Sequence, residues 1–537
     1  MALNVPGLIA VIIFYTMTLL TGLWAAWKAK RSEKNKKGTE VAIVGGRNLN
    51  MVVGLFTTTA TWVGGAYING TAEIVYLPSR GLAWVHAPLG FAATFILGAL
   101  FFVKPMRSKN YVTMMDPLQE TFGDMMGSIL FIPPLLGDIF WFASILASLG
   151  ATVRVILDVQ GYIAIIISAC TVILYTLLGG LYSVAYTDVI QLLFMMVSLW
   201  ICVPFALLNS ASENIAYTAV NEVFQEPWIG SIETKYIGRW VDDLAYLSLG
   251  GIAWQIYFQR VLAASTSKQA IVTSYLSGAL SAVLGIPSIL IGAVAASTDW
   301  NQTSYGLPSP YERNESNMIL PLVLQYLCPT YVSVAGLGAI AAAVMSSADS
   351  SLLSASSMFA YNIYKKMLRK KASDREVLCV MRLSMVLLGS AGMGLAFLSN
   401  SVYDLWFLSG ELVYALLFPQ LCCALFLPST NTYGSMAGFF LGFVLRLLAG
   451  ENSLKIPPLL HYPGCIIVNE IYVQLFPFKT FTMLVSLMTI IVTSYLAQFF
   501  FMKKILPIQW DVCKVFSKEL SHPSPHELQE LEGLKNT

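Results

Sequence analysis

The stretch MVVGLFTTTATWVGGAYINGT, residues 51–71, has the length of a membrane span but carries an interruption at its centre. The interruption consists of threonines between Thr57 and Thr61 and of the pair Gly64 and Gly65. Because a spanning helix must close its backbone hydrogen bonds internally, a break at membrane depth is tolerated only beside a cavity enclosed by protein. Secondary transporters hold ions and substrates at such breaks. The alternative is a flexible helix whose small residues only pack against neighbouring helices.

Composition indicates an integral membrane protein. Of the 537 residues, 56% are hydrophobic and 12% are charged, and the mean hydropathy is +0.67. Soluble domains carry about 25% charged residues. The net charge of +2 gives no indication of nucleic-acid binding. The first apolar run, residues 5–27, is too long for a cleavable signal peptide and lacks a basic leader, so we expect it to stay in the membrane.

Apolar stretches of about 20 residues, the length that crosses a bilayer, follow one another along the chain. They lie at roughly 5–27, 48–72, 81–103, 125–150, 160–179, 184–207, 241–259, 272–296, 330–362, 378–398, 402–427, 433–449 and 480–502. The sequence therefore predicts an all-α, polytopic membrane protein with about thirteen transmembrane helices.

Basic clusters follow every second connection between these spans and predict the orientation. They lie at 28–37, 104–109, 260–268, 365–375 and 503–504. Because cytoplasmic loops carry the excess of lysine and arginine, the N-terminus is expected outside and the C-terminus in the cytoplasm. Asn301 and Asn314 each begin an Asn-X-Ser/Thr sequence in a loop that this topology places outside, which predicts two glycosylation sites.

Two halves of the chain echo each other. The second span contains TWVGG at 61–65, and the seventh contains GGIAW at 250–254, so each pairs a tryptophan with two glycines. An odd number of spans between equivalent elements inverts the second copy. The pattern is that of a five-plus-five inverted repeat.

A second polar segment, AAAVMSSADSS at 341–351, lies inside the ninth span. Its serine hydroxyls, at Ser346, Ser347, Ser350 and Ser351, cover more than one face of a helix. An ionisable residue such as Asp349 at this depth is by default a functional hypothesis. Oxygen ligands of this kind suit a hard cation such as sodium. The alternative is that the serines pack closely and bond neighbouring carbonyls.

Two further carboxylates lie within or beside the spans. Asp188 enters the sixth span near its cytoplasmic end, where it is either an ion ligand or a helix N-cap. Asp138 lies one turn before Trp141 in the fourth span, where it either attracts a cation or bonds a neighbouring helix.

Four tryptophans lie within or near spans rather than in the interfacial positions that membrane tryptophans usually occupy. They are Trp62, Trp141, Trp254 and Trp406. Several aromatic faces together are how proteins hold a quaternary ammonium group, which has no N–H to donate.

At these residues the chain resembles the sodium/solute symporter family. GGLYSVAYTDVIQ (179–191) and the AAAVMSSADSS segment carry the family resemblance, which extends from residue 7 to about residue 507. The segments similar to the choline-transporting branch are ATWVGGAYINGTAE (60–73), WQIYFQRVL (254–262), ASTDWNQTSYGLPSP (296–310) and LCPTYVS (327–333).

The resemblance implies an inverted-repeat core of five plus five helices, like that of LeuT, with flanking helices and alternating access. It divides the chain as follows: an extra N-terminal helix and cytoplasmic loop (1–47), the first repeat (48–208), an extracellular loop and the second repeat (209–427), two C-terminal helices (428–505) and a short cytoplasmic tail (506–537).

The resemblance also implies two sodium sites. The first is formed by backbone carbonyls and serine hydroxyls, those of Thr57, Ala60, Ala343, Ser346 and Ser347. The second, seen in some relatives, involves Asp188, Asp349 and Ser350.

Choline is expected among aromatic rings, those of Trp62, Trp141, Trp254, Trp406 and Phe91. The chain departs from the choline branch at three positions. Phe91 stands where the branch has tyrosine, His86 where it has glutamine and Asp404 where it has glycine.

The function implied is sodium-coupled, chloride-dependent uptake of choline across the plasma membrane, which supplies choline for acetylcholine synthesis. Presynaptic terminals and vesicles are the implied locations. One alternative is a sodium symporter for another organic cation or small solute, and another is a choline-binding paralogue that does not transport. A membrane-embedded enzyme is disfavoured because the spans contain one histidine, His86, and no HExxH sequence.

Overall fold

The computed structural model describes residues 5–32, 38–157, 159–177, 180–397, 402–451, 456–468 and 471–517. The helices up to the first long loop are α1 (Val5–Ser32), α2 (Gly38–Val44), α3 (Met51–Trp62), α4 (Gly65–Tyr76), α5 (Ala87–Leu97), α6 (Val103–Ser108), α7 (Asp116–Ile129), α8 (Ile132–Leu157), α9 (Gly161–Leu177) and α10 (Leu181–Leu207). The helices after it are α11 (Ile215–Thr218), α12 (Ile237–Gly250), α13 (Gln255–Ala263), α14 (Ser267–Ala296), α15 (Ile319–Leu327), α16 (Thr330–Met358), α17 (Asp374–Ala396), α18 (Val402–Leu412), α19 (Phe418–Phe426), α20 (Thr432–Leu448) and α21 (Phe478–Met502).

Other elements are short. Three π-helical segments, Gly98–Phe102, Phe359–Leu368 and Val413–Leu417, join or extend the long helices. Two strands, β1 (Ile466–Val468) and β2 (Ile471–Val473), form an antiparallel pair in the loop before α21. The predicted all-α class is confirmed.

The predicted count of thirteen spans is not confirmed. Within the described ranges eight helices are long and apolar enough to cross a membrane, and the bent pair α3 and α4 makes a ninth. At the other predicted positions the described helices α1, α9 and α20 are apolar over 10–17 residues, and α12 and α13 are separated by a break.

The predicted interruption of the second span is present, but its position differs from the prediction. Asn50 caps the start of α3, since its side chain accepts a hydrogen bond from the Val53 amide. The helix then continues through all the threonines to Trp62. Only Val63 and Gly64 leave the helical conformation, and α4 starts again at a bend of 48°. The threonines therefore line a helix rather than the unwound segment.

Close packing against α16 explains why the break contains glycine. A Cβ atom on Gly64 would lie 1.5 Å from the Ser347 Oγ, and one on Gly65 would lie 2.2 Å from a methyl carbon of Val344. The small residues thus let the broken span approach α16 closely, as small residues do at membrane helix interfaces.

The echoing segment is also broken. α12 ends at Gly250, a 3-10 turn covers Gly251–Ala253, and Trp254 is extended before α13 begins. A Cβ atom on Gly251 would lie 2.7 Å from the Trp62 Cη2. The two breaks therefore touch in the middle of the protein.

The helix α16 lies at the centre of the core, in contact with α8 and α10. Every residue from Gly336 to Met358 is buried. Such complete burial agrees with a helix that faces protein on all sides rather than lipid.

At the C-terminal end, α20 packs on α21 through three glycines spaced four residues apart. Cβ atoms at Gly434, Gly438 and Gly442 would lie 2.0–2.9 Å from atoms of α21 or its neighbours, including Ile490 and Ser494. This spacing places one small residue per turn on the same face and lets the two backbones approach closely.

Candidate functional site

The five predicted aromatic residues come from distant parts of the chain and converge in one buried cluster, here called the aromatic cage. Its members, all at most 6% exposed, are Trp62, Phe91, Trp141, Trp254 and Trp406. The end of α3, α5, α8, the break before α13 and α18 each supply one ring.

Ring distances define the arrangement of the cage. The Trp62 ring centroid lies 4.7 Å from that of Phe91, 6.4 Å from that of Trp141 and 6.3 Å from that of Trp254. Trp141 and Trp254 are 5.0 Å apart, and Phe91 and Trp406 are 5.6 Å apart. Most pairs meet edge to face or at a tilt, which is the favourable geometry for aromatic pairs.

Sequence reasoning missed further rings that support the cage. Phe95 lies 5.4 Å from Trp62, Tyr67 stacks on Phe91 at 5.5 Å, and Tyr403 lies 5.6 Å from Trp406. Phe95 and Tyr403 are four and three residues from cage members on their own helices, so helical spacing was a signal for these two.

Asp138 positions one wall of the cage. Its Oδ1 accepts a hydrogen bond of 2.7 Å from the Trp254 indole nitrogen. The side chain is 2% exposed, and no hydrogen-bond partner of its Oδ2 occurs in the described part of the chain. A buried carboxyl group thus lies directly beside the rings, where it holds one indole.

The residues predicted for the first sodium also come together, where the end of α3 meets α16. The Ser346 hydroxyl donates to the Ala60 carbonyl at 2.9 Å and to the Ala343 carbonyl at 3.0 Å. The Ser347 hydroxyl donates to the Thr61 carbonyl at 2.9 Å. Neutral oxygens from two helices therefore converge without a carboxylate, a donor set that suits a hard monovalent cation.

Thr57 lies one turn earlier on α3 and links this group to a second polar cluster. Its carbonyl accepts a hydrogen bond from the Thr61 hydroxyl at 2.8 Å, and its own hydroxyl donates to the Asp188 Oδ2 at 2.5 Å. Sequence reasoning assigned only the Thr57 carbonyl, whereas the structure also engages the side chain.

The residues predicted for the second sodium form that second cluster, but a basic residue lies among them. Asp188, Asp349 and Ser350 are fully buried. Arg260 of α13 donates to the Ser350 hydroxyl and lies 3.8 Å from Asp188. Sequence reasoning did not place Arg260 here, because it counted this residue among a cytoplasmic basic group.

A cavity of about 380 Å³ opens beside the aromatic cage on the predicted outer side. Its wall includes Tyr403 and Phe407, whose rings stack at 4.7 Å and contact Trp406. Asp404 also lines this cavity, while His86 is buried with its ring 5.0 Å from that of Trp240.

The two predicted glycosylation sites are exposed. Asn301 and Asn314 lie in the loop between α14 and α15 with exposed side chains. Asn69, which matches the same sequence pattern, is 1% exposed and donates a hydrogen bond to Ser148. The accessible positions are therefore those that sequence reasoning assigned.

Comparisons with known proteins place this arrangement in a family. The family model for the sodium:solute symporter family matches residues 43–442. The high affinity choline transporter 1 of Homo sapiens is 55% identical over 95% of this chain and 88% of its own length. The corresponding protein of Torpedo marmorata is 52% identical over 97% of this chain and 91% of its own.

A more distant relative and a solved structure agree. The sodium/glucose cotransporter 1 of Oryctolagus cuniculus is 26% identical over 83% of this chain and 72% of its own. A Na+-coupled sialic acid symporter in a substrate-bound outward-open state superposes with a TM-score of 0.71 at 17% identity, covering 91% of this chain and 97% of its own. That superposition supports the predicted fold of a membrane symporter. The extent of the family match and the identity to these relatives show that this chain belongs to the sodium:solute symporter family, whose members are transporters and not enzymes.

Proposed function

We propose that this chain is a sodium-coupled choline symporter of the plasma membrane that works by alternating access. The observation that carries the proposal is the convergence of five buried aromatic rings beside a broken span and a cluster of neutral oxygens. The relatives named as high affinity choline transporters, at 52–55% identity, support the same substrate.

The aromatic cage suits a quaternary ammonium group. Such a cation cannot donate an N–H hydrogen bond, so aromatic faces are its natural partners, each contributing about 0.5–2 kcal/mol. We assign this role to Trp62, Trp141, Trp254, Trp406 and Phe91. The Asp138 carboxylate adds a counter-charge behind Trp254, which favours a cation over a neutral solute.

For the first sodium we propose a site at the contact between α3 and α16. Its ligands are the carbonyl oxygens of Thr57, Ala60 and Ala343 and the hydroxyl oxygens of Ser346 and Ser347. Because these atoms belong to two helices, an ion held between them would tie the broken span to α16. The ion thereby orders Trp62, which lies two residues after Ala60 and is part of the aromatic cage.

For the second sodium we propose the cluster of Asp188, Asp349 and Ser350. Their burial and their oxygen atoms support this assignment. Its ligand set differs from that of the first site, because its oxygens include two carboxylates.

The membrane potential favours inward movement of both cations. At about 2.3 kcal/mol per charge per 100 mV, a potential of roughly 60 mV contributes about 1.4 kcal/mol for each positive charge. Such a contribution corresponds to about tenfold accumulation per charge. The sodium gradient adds its own share through each ion that is coupled to choline.

We extend the proposal to the arrangement of the protein in the membrane. The first repeat spans 48–208, and an extracellular loop with the second repeat spans 209–427. The N-terminus lies outside and the C-terminus inside, and Asn301 and Asn314 carry glycans. Basic loop clusters and exposed acceptor asparagines support this orientation. Chloride dependence and a role in supplying acetylcholine synthesis rest on the resemblance to the choline branch.

The proposal is tested by uptake of labelled choline into cells that express the protein. We expect uptake in sodium medium and little uptake when lithium or a bulky cation replaces sodium. Equal uptake in all media would refute sodium coupling, and no choline uptake in sodium medium would refute the substrate. Replacing chloride with gluconate tests chloride dependence in the same assay.

The sodium ligands are tested separately by Ser346→Ala. The variant is expected to need more sodium for half-maximal uptake, because it removes one hydroxyl ligand from the first site. Ser354→Ala is a matched control, since Ser354 is also a buried serine of α16 and lies outside both proposed sites. Identical sodium curves for both variants and the unsubstituted protein would remove Ser346 from the site.

A further inference from the structure

Arg260 occupies the space between the ligands proposed for the second sodium. It is 4% exposed, and its Nη2 donates to the Ser350 hydroxyl. The same nitrogen lies 3.8 Å from the Asp188 Oδ2. A guanidinium group therefore faces two of the oxygens proposed as ligands of the second sodium ion.

The guanidinium is held loosely for a buried group. Its nearest carboxylate oxygen is beyond hydrogen-bond distance, and its Nη1 donates to the neutral Gln259 side chain at 3.1 Å. In the same protein the buried Arg446 lies 2.5 Å from Glu411 and 2.5 Å from Glu451. Arg446 is thus paired directly with two carboxylates, whereas Arg260 has no carboxylate oxygen within hydrogen-bond distance.

Several polar atoms around Arg260 also lack hydrogen-bond partners in the described part of the chain. They are the Asp188 Oδ1, the Asp349 Oδ2 and the Arg260 Nε. Buried polar groups are normally satisfied, so orphaned oxygens beside a candidate cation site indicate an arrangement that a ligand completes. Two buried carboxylates facing one guanidinium leave the cluster with one unbalanced negative charge if all three groups are ionised.

We propose that Arg260 is a tethered cation that competes with a second sodium ion for Asp188 and Ser350. The inference rests on the proposed second sodium site and deepens it. Two cations cannot share the same two oxygens in a buried site, because their mutual repulsion is only weakly screened there. The sodium ion therefore binds as the guanidinium withdraws from Ser350.

The position of Arg260 connects this exchange to the transport cycle. Arg260 lies on α13, the helix that follows the break at Trp254, whereas Asp188 and Ser350 lie on α10 and α16. A movement of α13 relative to those helices changes the distance between the guanidinium and its two partners. The second sodium thus becomes coupled to the broken helix that carries Trp254.

The test is the binding of 22Na+ to the purified full-length protein without choline, read by scintillation proximity. Both proteins compared carry Ser346→Ala, which weakens the first site so that the second dominates the signal. Adding Arg260→Gln is expected to lower the half-saturating sodium concentration by about tenfold or more, the size of effect that a neighbouring charge has on a binding equilibrium. Arg154→Gln, at a partly exposed arginine paired with Glu315, is the matched control and should leave the curve unchanged.

A charge-balanced variant covers the case in which Arg260→Gln does not fold. Combining Arg260→Gln with Asp349→Asn keeps the net charge of the cluster at that of the unsubstituted protein. It should still bind sodium more tightly, because the competitor is gone while Asp188 and Ser350 remain and the asparagine at position 349 keeps an amide oxygen as a ligand. Sodium curves that are unchanged or shifted to higher concentration in the folded variants would overturn the proposal.

The result is distinguishable from failure of the proposed function. If the unsubstituted protein takes up no choline but its sodium curve shifts as expected, the substrate assignment fails and the competition stands. If choline uptake is sodium-dependent but the curves coincide, only the competition is refuted.

Discussion

Substituting alanine for Gly64 would add one carbon atom at the point where the broken span meets α16. The new Cβ would lie 1.5 Å from the Ser347 Oγ and 2.6 Å from the Ser347 Cβ, distances that real Cβ atoms do not adopt. The backbone conformation is not the obstacle, since Gly64 has φ −99° and ψ −170°, an extended geometry open to alanine. The Ser347 side chain must therefore move to make room for the new carbon atom.

The magnitude follows from what Ser347 must give up. Its hydroxyl would turn away from the Thr61 carbonyl, losing a hydrogen bond of 2.9 Å, which is worth about 1 kcal/mol. Overpacking a tight core adds about 1–3 kcal/mol. Because the proposed sodium-bound state requires the Ser347 oxygen in place, at least about 2 kcal/mol is lost from sodium binding. Such a loss raises the half-saturating sodium concentration by roughly 30-fold.

The assay is choline uptake at graded sodium concentrations, normalised to the amount of protein at the cell surface. Gly54→Ala is the matched control, because Gly54 lies on the same helix and its new Cβ would meet only Thr273 atoms at 3.7–3.8 Å. We expect Gly54→Ala to keep the sodium curve of the unsubstituted protein. If Gly64→Ala also keeps it, the close contact between Gly64 and Ser347 does not hold the sodium site.

Three further predictions concern other parts of the protein. Trp254→Phe should weaken choline binding less than Asp138→Asn, because the first variant keeps a ring face whereas the second loses the counter-charge. Competition binding of choline to membranes measures both affinities, and the reverse order would refute the prediction. Lys479→Met should destabilise the folded protein by about 3 kcal/mol, because it removes the buried cation that lies between Asp243 and Glu411 and leaves Asp243 with only a part-exposed arginine at 3.9 Å. An unchanged melting temperature in detergent would refute this. The double substitution of Asn301→Gln and Asn314→Gln should abolish the electrophoretic shift that glycosidase treatment causes. A shift that persists would show that another asparagine carries a glycan.

The break and the aromatic cage were predictable because both depend on residue types that are unusual in a membrane span. Paired glycines beside a tryptophan occur at both breaks, and the structure interrupts the helix at both. The tryptophans stood out because interfacial positions account for most others. Residue type therefore sufficed to nominate Trp62 and Trp254, although only the fold could bring their rings to 6.3 Å.

The position of the break and the role of Arg260 were not predictable in the same way. Threonine disfavours helices only weakly, and tertiary packing overrides such propensities, so the segment from Thr57 to Thr61 remains helical. The break lies instead at Gly64, where the backbone approaches Ser347 too closely for any side chain. Arg260 carries the charge expected of a cytoplasmic loop, and a positive charge in sequence gives no indication of the direction in which its side chain points. Its burial against Ser350 depends on the orientation of α13 after the break at Trp254.

The chemistry of coupling is concentrated in three consecutive residues at the end of α3. Ala60 and Thr61 present their carbonyls to serine hydroxyls of α16, and Trp62 presents its ring to the aromatic cage. No long pathway is needed between the ion and the organic cation, because only Thr61 separates Ala60, which would contact the ion, from Trp62, which would contact the organic cation. An ion that fixes Ala60 and Ser347 restrains Thr61, whose carbonyl accepts a hydrogen bond from Ser347, and so leaves Trp62 few alternatives. The contact of the Trp62 ring with Gly251 passes the same constraint to the second break. Sodium and substrate then favour the same closed arrangement, and the coupling free energy between them must be equal in both directions.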